Sequence, residues 1–293
     1  ATAGRSGKSL SGAPTVWHDM RDTRPRISAV DQISDYIPPR QASPKPSIRT
    51  LTFQDLVTAL FSGWYDAKRA WPFGLVFAGF YVAGGLFLTF LSPSFLWQIV
   101  LLALAFPLFA PFAAVGLYEV SRRLERGLRL DWAEILGVIY RERNREIPWL
   151  GGLIVVYFLF YSFLAHMIFA LFMGLSAMTN VSTSWEAFLT VNGLTMIAVQ
   201  LGVGAVLGLL LYALTVISLP LVLDKEIDFV TAMILSVGVV RENPAVMITW
   251  AVILGALMLL AMLPAFLGLL LVLPVLGHAS WHLYRRALSH PTA

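Results

Sequence analysis

"AVMITWAVILGALMLLAMLPAFLGLLLVLPVLGHASWHLYRR" runs from Ala245 to Arg286, and the number of times it crosses a bilayer decides the fold. As a single helix it would be roughly 60 Å long at 1.5 Å per residue. That is twice the hydrocarbon core of a membrane, about 30 Å. Pro264 offers a break, because its ring removes a helix hydrogen bond and crowds the preceding turn. Two spans result, Ala245–Leu263 and Ala265–Tyr284. Upstream, apolar runs predict spans at Phe73–Leu91, Phe95–Tyr118, Trp149–Leu175 and Gly193 to about Leu223, with Ser92-Pro93-Ser94 as a tight turn and Pro220 near an inner end.

Charge chooses between five crossings and six. Residues 1–72 carry ten Lys and Arg, the segment 119–148 carries seven, Lys225 and Arg241 follow, and Arg285 and Arg286 close the set of 21. With six spans all of them fall on one side; with five, the last two fall on the other. Cytoplasmic loops are the ones enriched in Lys and Arg, so six spans with both termini cytoplasmic are expected. Among the acidic residues only Glu186 lies on the opposite side.

Composition agrees. The chain is 58% hydrophobic and 13% charged, against about a quarter charged in soluble domains. No ten-residue alternating pattern of an outer-membrane barrel is present. The absence of cysteine excludes disulfides, iron–sulfur clusters and thiolate metal sites. A net charge of +4 and an isoelectric point near 9.5 could suggest nucleic acid, but the clustering of the cations beside spans reads as topology. No signal peptide is visible, the first 49 residues being polar.

The three inner segments resemble one another. "TFQDLVTALFSGWYDAKRAWP" places Phe53, Leu56, Val57, Leu60, Phe61, Trp64 and Tyr65 on one helical face; "DWAEILGVIYRERNREIP" does so with Trp132, Ile135, Leu136, Ile139 and Tyr140; "DFVTAMILSVGVVRENP" with Phe229, Val230, Met233, Ile234 and Val237. Thr52 with Asp55, and Asp131 with Glu134, have capping-box spacing, and Asp228 caps the third. Each segment ends in charge and then Pro72, Pro148 or Pro244. The expected fold is all-α and polytopic: six transmembrane helices as three hairpins, each preceded by a cytoplasmic amphipathic helix, in a pseudo-threefold repeat. The repeats cover about 51–118, 130–223 and 228–286 within a membrane domain of 48–288, with an extended arm at 1–47 and a tail at 289–293. The competing reading is that any inside-to-outside hairpin tends to follow an amphipathic stretch.

Candidate sites are few. His278 and His282 share a helix face at i, i+4, which suits a metal. Two ligands alone do not make a site, and beside Trp281, Tyr284, Arg285 and Arg286 they read instead as part of the aromatic and basic collar where a helix leaves the bilayer. His166 lies inside the third span, where ionisable groups mark function. Gln200 lies at similar depth, so a His166–Gln200 hydrogen bond is expected, with Ser162 or Tyr161 as further partners; a haem or quinone is what a cofactor site there would take. His166 and His278 differ in depth by about 10 Å counted at 1.5 Å per residue, which disfavours a shared haem. "GRSGKS" (Gly4–Ser9) has the wrong spacing for a phosphate loop. Asn243-Pro244-Ala245 copies a water-channel tripeptide but falls at an inner corner. Gly204 and Gly208 form a GxxxG pair. Glu119, Arg122, Arg123, Glu125, Asp224, Glu226 and Asp228 read as ion pairs tying inner helix ends together. No nucleophile–base spacing, metal triad or cofactor motif is visible.

"GLYEVSRRLERG" (116–127), "SLPLVLDKEIDFVTAMILSV" (218–237), "RENPAVMITWAVI" (241–253) and "GLLLVLPVLGHASWHLYRR" (268–286) together resemble a bacterial integral-membrane family, domain of unknown function 2189. The resemblance covers roughly residues 48–286. It implies the bacterial inner membrane and no established activity. Some members carry a cytochrome c oxidase subunit label, which implies a respiratory neighbourhood and transfers no site residue.

The arm, rich in Pro, Ser, Arg and Asp, cannot bury enough apolar surface to fold alone. It is expected to dock on a partner through Trp17, Arg21, Arg24, Arg26, Tyr36 and Arg40. The functional expectation is a non-catalytic accessory, scaffold or assembly subunit of a larger inner-membrane complex, energy-transducing and oxidase-related, in contact with membrane lipids and other integral subunits. The alternative is a small-solute or lipid transporter or channel, which would require a polar cavity at His166, Gln200, Tyr81 or Thr215.

Overall fold

The computed structural model describes residues 43–90, 113–142, 145–174 and 185–289. The chain divides into two compact units, 1–40 and 41–293, and every described residue belongs to the second. The arm residues Trp17, Arg21, Arg24, Arg26, Tyr36 and Arg40, and the glycine motif Gly4–Ser9, lie outside the described residues.

The first described residues are held by the chain itself. Ser43 N–H donates to the Glu226 carbonyl, and its hydroxyl accepts from Glu226 N–H. A two-residue strand β1 (Ser47–Ile48) pairs antiparallel with β2 (Leu288–Ser289). The boundary expected at residue 47 therefore falls earlier, because Ser43 is already fastened to the membrane domain.

Helix α1 (Phe53–Arg69) starts at Thr52, whose N–H and hydroxyl both donate to the Asp55 carboxylate, as the capping-box spacing requires. It meets α2 (Trp71–Phe90) at a bend of 98°, with Pro72 in the first turn of α2, where no helix N–H is needed. Helix α3 covers residues 113–125. The body of the second expected span, residues 95–112, lies outside the described residues. Its inner end continues as helix past Tyr118, carrying Glu119 to Glu125 inward on one rigid element.

Helix α4 (Trp132–Glu142) is capped by Asp131, whose side chain accepts from the N–H groups of Ala133 and Glu134. The Glu134 carboxylate turns instead to Arg123, 2.5 Å away. Helices α5 (Ile147–Met173) and α6 (Val191–Thr215) pair antiparallel, with a 3₁₀ turn at Trp185–Leu189 leading into α6. Tyr157 O–H donates to the Leu207 carbonyl, Tyr161 sits against Gly204, and Gln200 donates to the Ala165 carbonyl at 3.4 Å. These three contacts share one antiparallel register. Gly204 thus makes the close contact expected of the GxxxG pair, whereas a Cβ at Gly208 would meet open space.

The fourth span breaks after Thr215 and resumes as α7 (Ser218–Asp224). Pro220 explains this: it has no N–H for the Val216 carbonyl and its ring crowds that turn. Helix α8 (Phe229–Glu242) is capped by Asp228, which accepts from Thr231 N–H. Helix α9 (Pro244–Met262) and α10 (Leu269–Ala287) are separated at Pro264 by a tight turn with Ala265 and Phe266 at positive φ. The 42-residue stretch is therefore broken where its proline predicted.

By length and apolarity three described helical stretches can cross a membrane: α5, α6 with α7, and α9; the bent pair α1–α2 makes a fourth. Helix α10 differs because its inner half is enclosed by protein. Leu276, His278, Ala279, Trp281, Leu283, Tyr284 and Ala287 on it are all buried, so it need not be apolar throughout.

The packed core is a layer at the charged helix ends, where Leu56, Val138, Ile147, Leu221, Leu235, Trp250, Trp281 and Tyr284 meet. A second cluster joins α2, α3 and α10 through Phe73, Phe77, Leu117 and Leu269. The amphipathic faces read from the sequence split in two. On α1 the buried stripe is Leu56, Ala59, Gly63 and Asp66, while Phe53, Val57, Phe61, Trp64 and Tyr65 are exposed. On α4, Ile135 and Val138 are buried and Trp132, Leu136 and Tyr140 exposed; on α8, Ala232, Leu235 and Val239 are buried and Val230 and Ile234 exposed. Small residues face the core here because helices come very close. A Cβ on Gly63 would sit 2.5 Å from the Ala279 backbone nitrogen.

Gly63→Ala is expected to push α1 off α10 and cost about 1–3 kcal/mol, the usual range for overpacking. Gly79, where a Cβ meets nothing within 4 Å, is expected to tolerate alanine with stability unchanged or raised by about 0.5–1 kcal/mol. Thermal unfolding of both variants in the same detergent checks this; equal melting points would show that the α1–α10 contact is not close.

Candidate functional site

Three helices cross at the Gly63–Ala279 contact, and each delivers a polar side chain to the crossing. Asp66 comes one turn after Gly63 on α1, Ser121 from α3, and His278 and His282 from successive turns of α10. Ser121 Oγ lies 2.8 Å from Asp66 Oδ2 and 2.8 Å from His278 Nδ1. His282 Nε2 lies 2.8 Å from the same Asp66 oxygen. Proton bookkeeping fixes the directions around a carboxylate. Ser121 has one proton and gives it to Asp66; His278 Nδ1–H then donates to Ser121, and His282 Nε2–H donates to Asp66. His278 Nε2 is left as an acceptor, buried and with no hydrogen-bond partner.

Ser121 and His278 are fully buried, whereas Asp66 and His282 reach a surface depression of about 340 Å³ lined also by Phe61, Ser62 and Tyr65. The cluster can therefore accept a hydrogen-bond donor from outside at Asp66. The serine is poorly placed as a nucleophile, being enclosed and with its proton committed.

Around this crossing lies an ionic lattice. Arg122 and Arg123 pair with Glu119, which is buried. Arg126 and Arg285 reach Asp224 at 3.0 and 3.5 Å, and Tyr284 O–H donates to it at 3.0 Å. Arg285 and the Trp281 indole N–H both bond Glu125. Arg145 bridges Glu142 and Glu226, and Arg286 reaches Asp55 at 3.5 Å. Burial pushes the Glu142 carboxyl up, against the pull of Arg145. The Thr231 N–H and hydroxyl hold the Asp228 carboxyl below its ordinary value. Of the seven charged residues singled out in the sequence, Arg122, Arg123, Glu125, Asp224 and Glu226 bond across to other segments, whereas Glu119 pairs within α3 and Asp228 acts as a helix cap.

Two expectations need correction. His278, Trp281 and Tyr284 do not form a membrane collar: all three are buried, because α1 and α3 cover this side of α10. His166 does not bond the Gln200 side chain. Its Nδ1 pairs with the Ser162 carbonyl one turn back, and Gln200 donates to the Ala165 carbonyl instead. Thr215 is bonded back to the Leu211 carbonyl and Tyr81 lies in an apolar cluster. Among the described residues no three His, Asp or Glu side chains converge to hold a metal.

Sequence reasoning also missed Asp66, Ser121 and Asn243. The Asn243 side chain accepts from Leu51 N–H at 2.6 Å and donates to the Arg49 and Val239 carbonyls. The water-channel tripeptide is here a clamp for the segment before α1. A lone buried-face aspartate in an amphipathic helix was the one available signal for Asp66.

Ser121→Ala is expected to strand the His278 Nδ1–H and to leave Asp66 with His282 alone, at a cost of about 1–3 kcal/mol, the desolvation penalty of an unpaired buried group. Ser121→Thr keeps the hydroxyl and is expected to retain more of the stability. Thermal unfolding of the two variants provides the comparison, and an alanine variant as stable as the parent would contradict the bonding scheme.

No curated protein and no solved structure matches the chain. Residues 99–224 match the model of a family described as a predicted integral membrane protein, domain of unknown function 2189, the family that the sequence blocks resemble.

Proposed function

We propose that this chain is a non-catalytic accessory or scaffold subunit of a larger assembly in the bacterial inner membrane, crossing the bilayer six times with both termini cytoplasmic. The crossings are supported by the inner lattice: segments from before α1, from α3 to α5, from α7 to α9 and from the end of α10 meet one another directly through Asp224, Glu125, Glu226, Asn243 and Arg286. Segments that meet at one face are joined by hairpins, and three hairpins make six crossings.

The observation that carries the scaffold reading is the α5–α6 hairpin. Only 6% of the most apolar 18-residue stretch of α5 is buried within the chain, and Phe160, Phe163, Leu171 and Leu201 are exposed along the pair. Apolar helices gain no hydrophobic energy from leaving lipid, so association there rests on shape and van der Waals fit. A long hairpin with so few internal partners offers a face to another integral subunit. An energy-transducing, oxidase-related assembly is the class that the family resemblance points to. The transporter alternative needs a polar mid-membrane cavity, and His166, Gln200, Tyr81 and Thr215 are each engaged elsewhere.

Photo-crosslinking residues placed at Phe163 and Leu201 in native membranes are expected to give discrete protein adducts. A control at Phe53, exposed on α1, is expected to give mainly lipid adducts. Lipid adducts alone at Phe163 and Leu201, with the chain purifying as a free monomer, would contradict the scaffold role.

A further inference from the structure

The depression at Asp66 lies at the edge of the exposed aromatic face of α1, where that helix meets α10. Phe61 and Tyr65, 72% and 60% exposed, form its rim, and Asp66 and His282 form its wall. Ser121 and His282 both occupy Asp66 Oδ2, so Oδ1 remains for a further donor. A carboxylate beside π-faces is the chemistry that recognises an ammonium group, through charge, hydrogen bonding and cation–π attraction together. Arg69 lies over the Tyr65 ring at 5.6 Å, so a fixed cation borders the rim.

From this arrangement we infer that the Asp66 depression binds the headgroup of an aminophospholipid, with the primary ammonium at Asp66 between Phe61 and Tyr65 and the phosphate toward Arg69. The choice of a lipid rests on the proposed membrane placement. The exposed stripe Phe53, Val57, Phe61 and Trp64 is that of a helix lying in the headgroup layer, and a depression bordering that stripe at Phe61 is within reach of headgroups. A zwitterion carries both charges that the site complements, anion toward Arg69 and cation toward Asp66. The N–H groups of a primary ammonium can donate to Asp66, which a trimethylated nitrogen cannot do.

The test uses the full chain in detergent with equimolar phosphatidylethanolamine, phosphatidylcholine and phosphatidylglycerol, with bound lipid read by native mass spectrometry. Phosphatidylethanolamine is expected to be retained roughly fivefold or more over the other two, the scale of a partly desolvated cation–π contact with its hydrogen bonds. Tyr65→Leu changes an exposed ring and is expected to lower that retention several-fold with the melting point unchanged. Asp66→Asn is expected to abolish the preference. A preference for phosphatidylglycerol, equal retention of the ethanolamine and choline lipids, or a Tyr65→Leu variant that binds like the parent would overturn the inference. An environment-sensitive label on Phe53→Cys reports separately whether α1 lies in the headgroup layer, so a failed lipid preference and a failed placement are told apart.

Discussion

Asp224 has a side chain only 2% exposed, yet it receives Arg126 from α3, Arg285 from α10 and the Tyr284 hydroxyl. Removing a carboxylate from water costs several kcal/mol, and that cost is offset only when its partners arrive together with good geometry. The requirement reaches far along the chain, because the partners come from α3, before the α5–α6 hairpin, and from the end of α10. Glu125 imposes the same condition between α3 and α10, and Asp66 between α1, α3 and α10. The inner ends of these helices must lie at one face or leave charges buried without partners.

This constraint divides the molecule energetically. The inner layer excludes water around Trp250, Trp281, Leu221 and Leu283, and there burial contributes about 1.5–3 kcal/mol for each large apolar side chain. The outer reaches of the hairpins have no such term, since a leucine in lipid is already out of water. Register in the α5–α6 hairpin is set instead by a few polar contacts, those of Tyr157 and Gln200 with facing carbonyls. The amphipathic helices α1, α4 and α8 join the two regimes, with one stripe in the core and an exposed apolar stripe beside it. Small residues make the junction possible: Gly63 lets α1 rest on the backbone of α10, which in turn brings Asp66 within reach of Ser121 and His282.

Sequence alone revealed what is decided locally. The caps at Thr52, Asp131 and Asp228, the proline starts and the break at Pro264 depend on residues within a few positions of one another, and periodicity exposes them. The Asp66–Ser121–His278 cluster depends on residues 55 and 157 positions apart, which no spacing rule connects. His278, Trp281 and Tyr284 misled for a related reason. An aromatic and basic helix end reads the same whether it faces a membrane surface or other helices, and the difference lies in α1 and α3 covering it. His166 and Gln200 were placed at matching depth correctly, but depth does not fix rotation about the helix axis, and each found a backbone carbonyl nearer than the other's side chain. Asn243 looked like a chance tripeptide because its partners, Leu51 and Arg49, are nearly two hundred residues away.

The proposed arrangement places the segments bearing the 21 Lys and Arg on one side of the membrane, with six crossings between them. Single-cysteine labelling tests it cleanly, since the chain has no cysteine of its own. With a membrane-impermeant thiol reagent on intact cells, Glu186→Cys is predicted to react at once and Ser289→Cys only after the membrane is opened. Equal labelling of both positions in intact cells would place the carboxyl end outside and contradict the account.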